Sequence, residues 1–218
     1  MRATRNRAAR GKPSQPSGLI ISSCGTTCVE KMRKPWLAIP LAEYEGHMAL
    51  PEIGHAQLLA DELDFSVRQH SPKSIAVIGC AGGNGFDRSI GGVVDRVVGI
   101  DINPRYVEAV RSRFGGRIPG LELHVADIQF VLPKISPVDL VFAALILEYV
   151  DVPTTMSSFR SLCAPGAALV VILQAADSCT EAVSPSPYKS IQLLAPAMQL
   201  LKTWHKLTPD ARVRFACG

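Results

Sequence analysis

No stretch of eighteen apolar residues occurs in this 218-residue chain. A membrane-spanning helix needs about twenty, so a bilayer span and a membrane partner are not expected. Acids are nearly missing from the N-terminal segment. Residues 1–34 hold eight Lys or Arg and one acid, a net of +7, whereas residues 35–218 hold fifteen and eighteen, a net of −3. The basic total of +4 therefore belongs to the tail, and the case it would make for a nucleic-acid partner falls away. Paired cysteines are also scarce. Six are scattered, and only Cys24 and Cys28 are close, with no second His or Cys pair beside them. That excludes a zinc site and a disulfide framework and fits a reducing, cytoplasmic location. Hydrophobic periodicity is missing before about Leu19, and no internal repeat is visible. Residues 1–34 read as a disordered basic tail. Their Arg and Ser content also resembles a mitochondrial transit peptide, and a start at Met32 is a third reading.

What is present begins with apolar residues at Ile53, Ala56, Ala60, Leu63 and Val67. Their three-four spacing predicts an amphipathic helix between Glu52 and His70, ended by Ser71-Pro72. Residues 35–71 thus form a cap segment with one helix, and residues 72–218 a core domain. In that core, short apolar strands alternate with helices, the mark of an α/β fold with a mostly parallel sheet covered on both faces. The strands are Ile75 to Ile78, Arg96 to Ile100, Leu121 to Ala126, Val138 to Ala143 and Ala167 to Leu173. Asn103 and Pro104 read as the N-cap and first residue of a helix that Gly115-Gly116 stop. A further helix runs from Pro153 to Cys163, and a last one from Tyr188 to Leu201, interrupted by Pro196.

The chemistry concentrates in Gly79-Cys80-Ala81-Gly82-Gly83-Asn84-Gly85, between a strand and a helix. Glycines there allow a sharp turn and close approach to a ligand, and the helix beyond offers free N–H groups. Asp101, at the tip of the next strand, is placed to accept hydrogen bonds from a ribose diol. The dinucleotide pattern G-x-G-x-x-G is not met, because Ala81 and Asn84 stand at its third and sixth places.

The sequence instead resembles the class I S-adenosylmethionine (SAM)-dependent methyltransferases over about Pro35 to Leu173. Gly79 to Gly85 is similar to their glycine-rich motif. Asp101 with Ile102 looks like the ribose-binding acid and its neighbour, and Ala126-Asp127-Ile128 like the adenine-contacting motif. Asp139 to Ala143 resembles the fourth-strand motif, and Leu162 to Gly166 the loop before the fifth strand. The resemblance implies a Rossmann-like doubly wound sheet and SAM as cofactor, with Gly79, Cys80, Ala81, Gly83, Asp101, Ile102, Asp127 and Ile128 as its binding residues. No metal is implied. Two positions depart from the family: Val77 replaces a common acid, and Ala81 replaces a glycine, which is tolerable if φ stays negative there.

The function implied is methyl transfer from SAM to a small-molecule nucleophile, and the alternative is a catalytically inactive SAM- or nucleotide-binding module. The family has no universal catalytic residue. Candidates here are Glu148 and Tyr149 after the fourth strand, and Tyr44 and His47, which precede the first helix. Each has a bland reading: a helix-start acid, packing aromatics, a structural histidine. His55, His70, His124 and His205 share no spacing and receive no role. Ser184 to Pro187 either lines the substrate entrance or is a rigid loop. Finally, the family's sheet has seven strands, the last two antiparallel. After Leu201 only Arg212 to Ala216 alternates, enough for one short strand. The sheet is therefore expected to be incomplete at its C-terminal edge. The fifth strand would then be open to self-association, unless the last residues or the Tyr188–Leu201 helix cover it.

Overall fold

The computed structural model describes residues 34–89, 94–174 and 183–199, together with the backbone of residues 211–216. Residues 1–33 of the basic tail, and four of the six cysteines, lie outside the described residues.

Six strands form one sheet: β1 Ser74–Ile78, β2 Arg96–Asp101, β3 Leu121–Val125, β4 Val138–Ala144, β5 Cys163–Gln174 and β6 Ala211–Ala216. Their order is β3-β2-β1-β4-β5-β6, and every neighbouring pair is parallel. The helices are α1 Leu41–Met48, α2 His55–His70, α3 Phe86–Ser89, α4 Pro104–Phe114 and α5 Val152–Leu162. Short 3-10 turns cover Pro35–Leu37, Leu147–Tyr149 and Lys189–Ala197.

Each central strand is apolar at consecutive positions because both of its faces are buried. Ile75, Val77, Leu140 and Phe142 point to one core with Leu63 and Val67 of α2 and Val110 and Phe114 of α4. Ala76, Ile78, Val141 and Ala143 point to the other, with Met156, Phe159 and Leu162 of α5. This is the doubly wound arrangement. No helix among the described residues is long and apolar enough to cross a membrane.

The local signals act as read. The Asn103 side chain accepts the Arg105 N–H at 3.0 Å, with Pro104 as the first helical residue. Asp151 caps α5 in the same way.

Two expectations need correction. The segment holding Tyr44 and His47 is itself a helix, α1. The segment after Tyr188 is a 3-10 turn over Lys189–Ala197 with Pro196 inside it, not an α-helix, and Leu201 lies outside the described residues. The last residues do cover the edge of β5, the exception foreseen for it: β6 runs parallel to it from the Leu169–Ala211 pair to the Gln174–Ala216 pair. The antiparallel pairing that the resemblance implies for the last strands is not the one made here.

A third cluster sits above the C-terminal ends of the strands. Ile39, Val183, Ile191 and Leu194 are buried there, with Trp36, Tyr44, Tyr149 and Tyr188 packed around them. It joins the segment before β1 to the segment after β5. Ser190 reinforces the joint, donating its N–H and hydroxyl to Glu43 Oε2 at 3.1 and 2.6 Å.

Candidate functional site

In an open parallel sheet the ligand crevice lies beyond the carboxyl ends of the strands where the order reverses. Here that point is between β1 and β4. The loop after β1 is held against β2 by two bonds, from the Gly79 and Cys80 N–H groups to Ile100 O at 2.8 and 3.2 Å. Gly79 has φ +68, and a Cβ there would run into the Ile146 side chain. The positive φ favours glycine, and the bare backbone there faces the mobile end of the Ile146 side chain at the rim of the cleft.

Asp101 ties the loop to the next strand. Its Oδ2 accepts the Ala81 N–H at 2.9 Å and its Oδ1 the Asn103 N–H at 2.8 Å. The carboxyl is 7% exposed, and burial pushes its pKa up to about 6 against the pull of the backbone N–H groups of Asn103, Ala81 and Ile102. Each carboxylate oxygen still has acceptor capacity beyond these bonds. Ala81 has φ +44, so the negative φ expected for it is not adopted. An L-residue in that region costs roughly 1–2 kcal/mol, and the Asp101 bond holds Ala81 there.

Asp127 stands at the tip of β3. Its Oδ1 accepts the Gln129 N–H at 3.2 Å, and its Oδ2 pairs with Lys34 Nζ at 3.1 Å. It therefore does cap a turn, but it also faces the cleft.

Gly79, Ala81, Asp101, Ile102, Asp127 and Ile128 all line one cleft of about 920 Å³ counted with its open mouth. Trp36, Tyr44 and Tyr149 close its other side. Cys80 and Gly83 are not among the residues lining it. They border an adjoining hollow that shares Tyr44, Gly79 and Ala81 with the cleft and extends to Glu45 and Arg113. The Cys80 side chain packs into the core beneath, and burial pushes its thiol well up. Arg113 bonds both oxygens of Glu45 and donates to Gly82 O at 2.9 Å, fastening α1 to the glycine loop.

The four candidate catalytic residues meet around a smaller chamber. Tyr44, His47, Glu148 and Tyr149 line it, joined by His55 and Ser184. Glu148 is 2% exposed; its Oε1 accepts the Gln174 N–H at 2.7 Å, while Oε2 has no partner. Burial pushes its pKa up. Burial pushes the pKa of both His47 and His55 down, with Glu52 opposing the shift at His47 and the nearby His47 adding to it at His55. Burial likewise raises the Tyr44 and Tyr149 phenols. Leu145, which lines both cleft and chamber, has φ +54; a branched side chain there marks a constrained backbone at the site.

Sequence reasoning did not single out Lys34, Trp36, His55, Arg113 or Leu145. His47 and His55 lie eight residues apart on different helices, so no spacing rule joins them.

Residues 75–166 match the family described as methyltransferase domain. Among solved structures, the chain is similar to Streptomyces venezuelae DesVI at 15% identity and TM-score 0.53, over 68% of this chain and 64% of that one. It is also similar to DhpI in a SAM-HEP complex at 20% identity and TM-score 0.50, over 78% and 77%. A third likeness is to the N-methyltransferase NodS from Bradyrhizobium japonicum WM9 in complex with S-adenosyl-L-homocysteine, at 22% identity and TM-score 0.48, over 58% and 69%. No curated protein matches the chain.

Proposed function

We propose that this chain, whose residues 75–166 match a methyltransferase domain, is a class I SAM-dependent methyltransferase and transfers a methyl group from SAM to a small-molecule nucleophile. One observation carries the reading. A single cleft gathers Gly79, the Asp101 carboxylate and Asp127 at the ends of adjacent strands, and the hollow holding Arg113 and Glu45 adjoins it. The cleft suits the nucleoside part of SAM, with Asp101 receiving ribose hydroxyls and Ile102 and Ile128 flanking the base. In the hollow, Arg113 keeps guanidinium N–H groups beyond those it gives to Glu45 and Gly82 O, and one of these can meet the carboxylate of the amino-acid part. Bound SAM supplies an electrophilic methyl on a sulfonium. The protein's own share is positioning and the exclusion of water, and alignment of this kind is worth up to about 7–11 kcal/mol. A small acceptor is favoured because residues 35–218 carry a net of −3, which opposes a polyanion.

Titration calorimetry tests the cofactor. S-adenosylhomocysteine is expected to bind, adenosine more weakly, and NAD not at all. Arg113→Gln should weaken S-adenosylhomocysteine by roughly tenfold, the worth of one charge-assisted bond, and leave adenosine unchanged. Equal losses for both ligands would defeat the orientation proposed. Transfer itself is read by mass spectrometry of a metabolite extract incubated with labelled SAM. Binding without any labelled product would favour the inactive-module alternative.

A further inference from the structure

Resting on that reading, we propose that the chamber bounded by His47, His55 and Glu148 is the acceptor pocket and that it takes a small, uncharged-bodied amine, which enters as its ammonium. The chamber measures about 550 Å³ with its mouth and shares Trp36, Tyr44, Leu145 and Tyr149 with the cofactor cleft. A molecule in it therefore lies one side chain away from the cleft.

Three side chains around the chamber each carry a buried polar atom with no partner: His47 Nδ1, His55 Nε2 and Glu148 Oε2. Their residues are 8, 7 and 2% exposed. A buried polar atom left unpaired is costly, and each of the three is a point at which a bound molecule would be held. A metal ion is not that ligand, because no three His, Cys, Asp or Glu side chains among the described residues converge to hold one.

The charge of the chamber selects among organic ligands. Among the described residues no Lys or Arg lines it, and Glu148 brings the one carboxylate. The two histidines add no positive charge near neutral pH, since burial holds both below the ordinary histidine value. An anionic acceptor would meet Glu148 with no counter-charge. An ammonium held at Glu148 Oε2 meets a carboxylate oxygen, while neutral imidazoles and aromatic side chains make up other parts of the lining. Trp36 sits edge-on to Tyr44 at 5.6 Å and to Tyr149 at 5.1 Å between ring centroids, and aromatic faces attract cations.

An ammonium has no lone pair and cannot accept a methyl group. It must first give one proton away, and Glu148 Oε2 is the acceptor at hand. The proton passes from nitrogen to oxygen, the carboxylate becomes a carboxylic acid, and nitrogen keeps the electron pair of the broken N–H bond. Burial makes Glu148 a stronger base than an exposed glutamate, which favours this transfer.

Binding to the whole chain tests this without turnover. Benzylamine, benzyl alcohol and benzoate, alike in body and different in charge, are titrated by calorimetry with S-adenosylhomocysteine present. Benzylamine is expected to bind best and benzoate not at all. Glu148→Gln, which keeps an oxygen for the Gln174 N–H, should weaken benzylamine roughly tenfold and leave S-adenosylhomocysteine affinity unchanged. Benzoate binding as well as benzylamine would overturn the proposal, on wild-type protein and without any variant. Benzylamine affinity unaltered in a folded Glu148→Gln protein would overturn it too. S-adenosylhomocysteine binding with no amine binding sinks the pocket and spares the cofactor reading; the reverse result supports the pocket and sinks the cofactor. Failure of both ligands ends both.

Discussion

At the scale of single residues, the site rests on backbone conformations that ordinary side chains avoid. Gly85 has φ +82, and a Cβ there would sit 3.0 Å from the Ala60 backbone, which cannot move aside as a flexible side chain can. Gly116 has open space around it and no positive φ. Gly85→Ala should therefore destabilise by at least about 2 kcal/mol, and Gly116→Ala should stabilise by about 0.5 kcal/mol by reducing the freedom of the unfolded chain. Chemical denaturation of both variants measures the contrast, and similar effects in the two would contradict the loop geometry.

Asp101 carries a different strain. Its folded pKa of about 6 lies above the ordinary 3.8, so the stability it contributes is full below pH 3.8 and lost as pH rises through about 6. Relative to Asp101→Asn, the wild-type protein should lose on the order of 2 kcal/mol of stability between pH 4.5 and 7. Taking the difference between the two proteins matters, because burial lowers the pKa of His47 and His55, and that changes stability with pH in the opposite sense. S-adenosylhomocysteine affinity should move the other way and fall below about pH 6, as the carboxylate that accepts ribose hydroxyls becomes protonated. Parallel pH dependence in Asp101→Asn would remove the assignment.

At the scale of elements, the strands were legible because each is a local apolar run buried on both faces. The readings of β1, β2 and β4 differ from the structure by a residue or so at one end. β5 begins earlier than read, at Cys163, because its first residues pair with Val138 across a register shift; Pro165-Gly166 hid this. Helix α1 was missed for a reason that is tertiary. Gly46 lies in its middle and weakens the helical signal, but a Cβ there would collide with the Tyr188 ring. The residue is set by a contact with a segment more than a hundred positions away.

The same limit explains the site. Gly79, Asp101 and Asp127 were legible because each ends a strand, and strand ends share one rim. His55 and Arg113 were not, since they reach the site only through helix packing. The parallel pairing of β6 with β5 was equally out of reach. The alternation of residues 212–216 announces a strand but carries no direction for its partner.

At the scale of the whole molecule, the segment just ahead of α1 joins the core and not the tail. Asn103 Nδ2 donates to Trp36 O at 2.8 Å, Tyr106 OH donates to Ile39 O at 3.1 Å, and Lys34 pairs with Asp127. Ile39 is 2% exposed in the cluster that closes the site. The charge and composition of residues 1–33 promise no comparable burial. A chain beginning at Met32 should thus melt within about 2 °C of the full chain and bind S-adenosylhomocysteine equally well. A chain beginning at Leu41 loses the carbonyl partners of two buried donors and the burial of Ile39 and Trp36. Those losses come to about 4 kcal/mol, or a fall of roughly 10 °C in a domain of this size. Its cofactor affinity should drop as well, because Lys34 and Trp36 line the cleft. If instead the chain beginning at Met32 suffers the larger loss, the basic segment packs on the core, and the boundary drawn here at residue 34 is wrong.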